Sequence, residues 1–369
     1  MRGTRILHIA PAYQINGGGI FEVVENLSSA QCKEKNTLVD IMCLETFIKK
    51  DGLNKVIYNV FPSSIMQIKL IALTLKFLFM KMRLYDVVHI HGAWSYQLAF
   101  IVPFIFFYKN KIVYQPHGLL CRVPMKKSWL IKRIAWFTYQ GLFLTFCKNI
   151  ICCSNKERDE LLSLCKSPHK IKVIPNGLDG AFFTNKSSAD PRKDRFLFFS
   201  QIIPIKNLES LFHAVAMLKR NDTVDIYIDI YGYGPETYIA ELRNLVDKLS
   251  INDNIIFKGR IARDNRVDIY DRYKYFVLPS LSENFGIAVL EALSRGCKVI
   301  VSRQTPWVDY DHGNITLIDP EKKSIYDALK ALITDNNGPV SLNAKNNFNI
   351  AEFSWDELSK DFVRLYFDK

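Results

Sequence analysis

The chain has 369 residues, a formal net charge of +12 and 49% hydrophobic residues. That length suits two domains of ordinary size, and the hydrophobic share excludes extensive disorder. Residues 1–184 carry 24 Lys and Arg against 11 Asp and Glu, while the other 25 basic residues meet 26 acidic ones. A basic first half beside a neutral second half leaves nucleic acid, an anionic membrane surface and a phosphorylated acceptor open as partners. The eight cysteines contain no C-x-x-C, and the adjacent pair Cys152-Cys153 does not bridge in relaxed backbone. They read as reduced, mostly buried thiols of a cytosolic protein.

Taken in order, Arg5 to Ala10 reads as a first strand, its apolar run too short for a signal peptide. The loop Gly17-Gly18-Gly19 follows, then a helix from Ile20 to Ser29. Glycines there let the backbone approach a ligand in front of a helix N-terminus, or form a plain turn. A dinucleotide fingerprint is not met, because Glu22 stands where its third glycine belongs. Leu38 to Leu44 is a second strand. Residues 65–83 form an apolar helix interrupted by Lys69, Lys76 and Lys81, which argues against a bilayer span. Val87 to Ile90 and Ile112 to Gln115 are strands ending at His91-Gly92 and Pro116-His117-Gly118. Twice, then, a histidine and a glycine stand just past a strand, where α/β sheets hold ligands.

Residues 122–137 combine Arg122, Lys126, Lys127, Lys132 and Arg133 with Trp129, Leu130, Ile131, Ile134 and Trp136. Such a segment suits an interfacial helix, or a core helix with a solvated basic face. Asn149 to Cys153 is a strand, Ser154 caps a helix over Lys156 to Leu164, and Ile171 to Pro175 is the last strand of this half. The polar stretch 185–194 reads as a linker, giving an N-terminal domain over 1–184 and a C-terminal one over 195–345. A last helix within 346–369 is expected to cross back to the first domain. The second half repeats the alternation: strand Phe196 to Ser200, helix Lys206 to Lys219, strand Asp225 to Tyr231, then Gly232-Tyr233-Gly234-Pro235 and a helix to Lys248. Ile255 to Phe257 is a short strand before Gly259-Arg260, and Tyr275 to Leu278 is the strand that feeds Glu283.

The stretch 280–302 is the centre of this pattern. It holds Glu283 and Gly286 in a loop, a helix with Leu290, Glu291 and Leu293, a stop at Gly296, and the buried strand Val299-Ile300-Val301. The helix N-terminus favours phosphate, and the two carboxylates can accept bonds from sugar hydroxyls. A ligand with a diphosphate in the middle and a hydroxyl-rich ring at each end fits. That ligand is a nucleotide-sugar; the bland reading is a surface helix with two solvated glutamates.

The residues VIPNGLD (173–179), FFSQIIPIKNLESL (198–211), IYGYGPE (230–236), FKG (257–259) and ENFGIAVLE (283–291) together resemble the retaining glycosyltransferases of family 4. The resemblance implies the GT-B fold, two Rossmann-like domains facing each other across a cleft. It implies that Glu283 touches donor-sugar hydroxyls, that the backbone at Phe285 and Gly286 holds sugar and diphosphate, and that Glu291 takes the ribose. Lys206 would sit on the diphosphate, with Gly18 and Gly19 approaching it and His117 reaching the reacting sugar. Gly232, Gly234 and Arg260 would lie near the nucleoside. Two positions depart from the family: Ser200-Gln201 replaces Gly-Arg, removing one phosphate-facing cation, and Thr305-Pro306-Trp307 replaces a glycine-rich turn. The latter resembles turns of surface-polysaccharide and O-antigen transferases.

The implied reaction moves a hexose-type sugar from a UDP- or GDP-linked donor to a glycan or lipid-linked acceptor, with retention. It implies catalytic roles for His117, Lys206 and Glu283, and no cofactor or metal. The single D-x-D, Asp309-Tyr310-Asp311, lies after a turn and reads as incidental. A sugar epimerase of the same fold would act without an acceptor, and a nicotinamide oxidoreductase fails on the fingerprint. A nucleic-acid-binding module has the charge but no recognised motif. The basic half, with the segment 122–133, leads to the expectation of a cytoplasmic enzyme peripheral on the membrane's inner face.

Overall fold

The computed structural model describes residues 3–10, 19–43, 57–59, 79–122, 128–184, 193–221, 225–310, 313–334 and 348–368. They form two compact units, Met1–Gly177 with Glu352–Lys369, and Leu178–Ala351. In the first unit the strands are β1 (Thr4–Ala10), β2 (Thr37–Cys43), β3 (Ile57–Asn59), β4 (Val87–His91), β5 (Ile112–Gln115), β6 (Asn149–Cys152) and β7 (Ile171–Val173). They make one parallel sheet in the order β3-β2-β1-β4-β5-β6-β7. Strands β4, β5 and β6 are buried at every residue, as a parallel sheet covered on both faces requires.

In the second unit β8 (Lys193–Phe199), β9 (Ile228–Tyr231), β10 (Ile255–Gly259), β11 (Tyr273–Leu278), β12 (Lys298–Ser302) and β13 (Ile315–Ile318) form a parallel sheet ordered β10-β9-β8-β11-β12-β13. Each sheet reverses its winding once, between β1 and β4 and between β8 and β11. The crevice beyond the C-terminal ends of such a pair is where open α/β sheets bind ligands. The two-domain, Rossmann-like GT-B architecture expected from the sequence is therefore present.

Several boundaries differ from the sequence reading for physical reasons. The chain changes unit at Gly177–Leu178 rather than within 185–194. Residues after Gly177 already belong to the second unit: Asp179 pairs with Arg263 at 2.8 Å, and Arg295 donates to the carbonyls of Phe182 and Thr184. The terminal helix Trp355–Phe367 does return to the first unit, packing on the helix Gly19–Lys33. Ser354 caps it at Glu357 N, and a Cβ at Gly177 would collide with the Trp355 ring at 2.5 Å.

The helix expected from Lys206 starts instead at Leu208, because Pro204–Lys206 is a 3-10 turn and Asn207 is left-handed, φ 59°. That turn is pinned by the Asn207 amide, which donates to the carbonyls of Pro279 and Pro320. The basic aromatic segment becomes a helix at Trp129–Ala135, passes through a π turn at Trp136–Gln140 and ends at Phe146. Most of the apolar segment 65–83 lies outside the described residues, and no described helix is long and apolar enough to cross a membrane.

Candidate functional site

Two loops leave the central strands of the second sheet at its switch point. The loop after β8 carries Gln201 and Lys206; the loop after β11 carries Ser280, Glu283, Phe285 and Gly286. They are tied together by Leu281 N–H donating to the Ile205 carbonyl at 2.8 Å. The tie brings the Lys206 Nζ to 2.5 Å from Glu283 Oε1, where both side chains are mostly covered. Ser280 Oγ donates to the same oxygen at 2.8 Å, so both bonds fall on Oε1 and, among the described residues, none on Oε2. A lysine and a carboxylate predicted to serve neighbouring parts of one ligand thus stand in contact.

Gly286 has φ +80° and precedes the helix Ile287–Ser294, turning the chain so that the open N–H groups of that helix follow the Glu283 loop. The departure at Thr305-Pro306-Trp307 is structural here. Trp307 is fully buried, donates its indole N–H to the Gly286 carbonyl at 3.3 Å, and lies against Phe285 with ring centroids 5.5 Å apart. A Cβ on Gly286 would come within 3.1 Å of the Trp307 Nε1. The turn therefore braces the loop from behind, a role its sequence did not announce. Phe285 is buried, so only its backbone is open to a ligand.

Glu291 is buried, with Arg266 Nη1 at 2.8 Å from one carboxylate oxygen and the Tyr270 hydroxyl at 2.8 Å from the other. Those two partners were not found from the sequence; a buried carboxylate without a ligand requires such donors. Gly232 and Gly234 have a packing reason to be glycine. A Cβ at either would lie 1.9 Å from the carbonyl of Ser200 or of Ile202, because the loops after β8 and β9 run against each other. Between those loops Tyr233 receives a bond from Gln201 Nε2 at 3.2 Å and has the Arg260 guanidinium 4.7 Å over its ring. Gln201, at the position of the family's arginine, and Arg260 thus share Tyr233 as a neighbour.

In the first unit, Gly18, Lys126 and Lys127 lie outside the described residues. Gly19 opens its helix with nothing among the described residues within 4 Å of a would-be Cβ, so packing against them does not require glycine there. His117 and Gly118 are consecutive left-handed residues, φ 55° and 75°. The turn is held by buried Glu157, which accepts from Gly118 N at 2.5 Å and Cys153 N at 2.8 Å while its own N–H is capped by Ser154. Burial raises the Glu157 carboxyl above its usual range. Burial also holds His117 neutral, its pKa lowered to about 3.

Behind His117 lie three more buried histidines; the sequence reading paired His91 with it, each beside a glycine past a strand, but did not connect His8 or His89 to them. His8 on β1 is opposite His89 on β4, so both project from the same sheet face, and His91 follows two residues on. The ring nitrogens of His8, His89 and His91 lie within 4.8 Å of one another, a metal-like spacing. They are instead bonded to each other and to neighbours: His8 to His91 and Gln31, His89 to Tyr366, His91 to His117. Desolvation, and then repulsion among the imidazoles, holds His89 and His91 well below the usual range.

Arg122, Trp129, Lys132 and Arg133 all lie in the first unit. Trp129, Leu130, Ile131, Ile134 and Phe137 are exposed along one helical segment, the last by 75%, and Phe107 on the neighbouring helix Val102–Tyr108 by 83%. Lys132 lies 5.3 Å over the Trp94 ring, and the exposed Arg122 donates its backbone N–H to Glu160.

Residues 17–182 match the family described as Glycosyltransferase Family 4, and residues 181–349 match Glycosyl transferases group 1. The chain belongs to glycosyltransferase family 4. This family 4 chain is 30% identical over 207 residues to an alpha-monoglucosyldiacylglycerol synthase of Streptococcus pneumoniae, covering 52% of the chain and 44% of that protein. It is 23% identical over 304 residues to a GDP-mannose:cellobiosyl-diphosphopolyprenol alpha-mannosyltransferase of Xanthomonas oryzae, covering 77% of the chain and 74% of that protein. The chain spans about half the length of the first curated relatives it matches. Among solved structures, HepE of Anabaena in complex with UDP and glucose superposes with a TM-score of 0.76 at 17% identity, covering 99% of this chain and 100% of that one. Sucrose-phosphate synthase of Thermosynechococcus elongatus gives 0.77 at 17%, covering 98% of each. At these identities the likeness is one of fold.

Proposed function

We propose that this family 4 chain is a retaining glycosyltransferase. It moves a hexose-type sugar from a UDP- or GDP-linked donor to a hydroxyl of a lipid-linked glycan acceptor in surface-polysaccharide biosynthesis. The observation that carries the reading is the Lys206–Glu283 pair, set at the switch point of the second sheet beside the helix N-terminus behind Gly286. Breaking a sugar–phosphate bond builds positive charge on the ring and negative charge on the departing diphosphate. Lys206 and the helix N–H groups meet the negative charge, and Glu283 Oε2 accepts from a sugar hydroxyl. Arg260, stacked on Tyr233 beside Gln201, supplies part of the charge that the missing arginine would give. With Glu283 engaged by Lys206, front-face substitution with retention is preferred to a covalent intermediate, and no step requires a metal.

Membrane attachment through the first unit belongs to the same reading. The exposed Trp129, Ile131 and Phe137 with Lys132 and Arg133 have the make-up of a segment lying in a lipid interface. The relatives named for glycolipid and diphosphopolyprenol chemistry support a lipid-linked acceptor. The deciding experiment is isothermal titration with UDP-, GDP-, ADP- and CMP-sugars. Binding of a UDP- or GDP-sugar, weakened on replacing Lys206, is expected; no binding by any of the four classes would overturn the reading.

A further inference from the structure

A chain of imidazoles runs across three adjacent strands of the first sheet. Gln31 Oε1 lies 2.8 Å from His8 Nε2, His8 Nδ1 lies 2.9 Å from His91 Nε2, and His91 Nδ1 lies 2.9 Å from His117 Nε2. Each ring is buried: the first three groups have no exposed surface and His117 retains 8%. A neutral imidazole carries one N–H donor and one bare acceptor nitrogen. In such a chain the choice made at one end therefore fixes every ring. The far end is a carboxamide, whose oxygen only accepts and whose nitrogen only donates. The Gln31 nitrogen faces the Tyr366 hydroxyl at 3.1 Å, and that hydroxyl lies 2.8 Å from His89 Nδ1.

With the Gln31 oxygen toward His8, His8 carries its proton on Nε2 and offers Nδ1. His91 donates from Nε2 to that atom and offers its own Nδ1, to which His117 donates from Nε2. His117 is left with Nδ1 as its acceptor. The opposite polarity would need the amide reversed. We propose that Gln31, acting through His8 and His91, fixes the tautomer of His117, so that His117 presents a bare Nδ1 that accepts a hydrogen bond from a sugar hydroxyl.

The inference rests on the reading of His117 as a sugar contact, and it deepens that reading. A bare nitrogen can accept from a hydroxyl but has no proton for a carboxylate. The sugar contacted by His117 is thus a neutral hexose and not a hexuronate. Gln31, His8 and His91 are positioning residues, acting on the sugar only through His117. Among the described residues, His89, Tyr366 and the Gln115 side chain on β5 opposite His91 face the chain, and none of these three carries a fixed charge.

The test uses full-length protein labelled with nitrogen-15 at histidine, with His117 assigned from the spectrum of His117→Asn. Two-bond proton–nitrogen correlations report which ring nitrogen is protonated. Wild type is expected to show His117 as the Nε2–H tautomer from about pH 5.5 to 8, and Gln31→Leu to shift it towards Nδ1–H. An Nδ1–H tautomer in wild type, or an unchanged spectrum in Gln31→Leu, overturns the chain; the wild-type result decides even if the variant does not fold. For turnover, His91→Leu is expected to lower kcat about tenfold or more with a smaller change in donor KM. His91→Gln, whose oxygen can accept from His117 Nε2, is expected to restore most of it. Wild type should prefer a nucleotide-hexose to the matching hexuronate by about 100-fold. The expected spectrum together with unchanged turnover in His91→Leu, or with equal use of the uronate, would leave the chain standing and remove His117 as the sugar contact.

Discussion

Acidification provides a direct test of the buried histidine cluster. His89, His91 and His117 are held neutral in the fold by desolvation, His117 down to about 3, whereas an unfolded histidine titrates near 6.5. The folded state therefore binds fewer protons than the unfolded one below that value, so stability must fall as pH drops through 6.5 toward the folded pKa. Above pH 7.5 both states are neutral and the effect vanishes. One group that stays neutral while its unfolded counterpart charges costs about 1.4 kcal/mol per pH unit. Between about pH 7.5 and 5.5 three such groups cost about 4 kcal/mol, a large part of a typical stability of about 5–15 kcal/mol. Buried Glu157 acts with the opposite sign, since a raised carboxyl takes up its proton first in the fold, but it does so nearer its ordinary 4.5 and offsets little above pH 5.5. The assay is amide hydrogen exchange of β1 and β4 over this pH range, which isolates the first unit from the second. His117→Asn should reduce the pH dependence by about a third. A free energy of opening that is flat between pH 7.5 and 5.5, or a slope unchanged in the variant, would refute the neutral cluster.

Lys206→Ala should lower kcat by about 100-fold, because a charge-assisted phosphate contact is worth about 1.5–3 kcal/mol and Gln201 supplies no fixed charge in compensation; Gln201→Arg should tighten nucleoside diphosphate binding in the same titration. Gly286→Ala should destabilise the second unit by about 1–2 kcal/mol from its left-handed φ alone, measured by urea unfolding, and more if Trp307 cannot move off the new methyl group. Activity should survive EDTA and the product anomer should match that of the donor; loss of activity restored by Mn²⁺ would contradict the metal-free reading. Sedimentation with anionic vesicles at low salt should pellet the protein, while replacing Lys126, Lys127, Lys132 and Arg133 by glutamine should leave it in the supernatant; pelleting unchanged by those replacements would remove the membrane reading.

Alternating apolar β-branched runs and glycine-ended helices made most of the two sheets legible in the sequence, because strand burial and helix stops are local chemistry. The motif Glu283 to Glu291 and the lysine at 206 were legible for the same reason: they follow strand ends, beyond which open α/β sheets hold ligands. What sequence could not give was anything set by pairing across the sheets. The short β3 at Ile57–Asn59, β13 at Ile315–Ile318 and the helix Lys322–Thr334 escaped notice, since their place follows from the elements beside them. Lys206 meets Glu283 only because Asn207 turns left-handed and ties its loop to Pro279 and Pro320, contacts 72 and 113 residues away in sequence. The role of Trp307 is decided by its burial against Gly286, not by its place in a turn. His91 and His117 share a following glycine at a strand end, but nothing in the chain links His8 to either of them. The register His8 opposite His89, and the adjacency of β1, β4 and β5, bring them into one hydrogen-bonded line. Local sequence decides which residues become strands and ligand-bearing loops; the side-chain partners on which the chemistry depends are chosen by sheet order and register, which only the folded chain fixes.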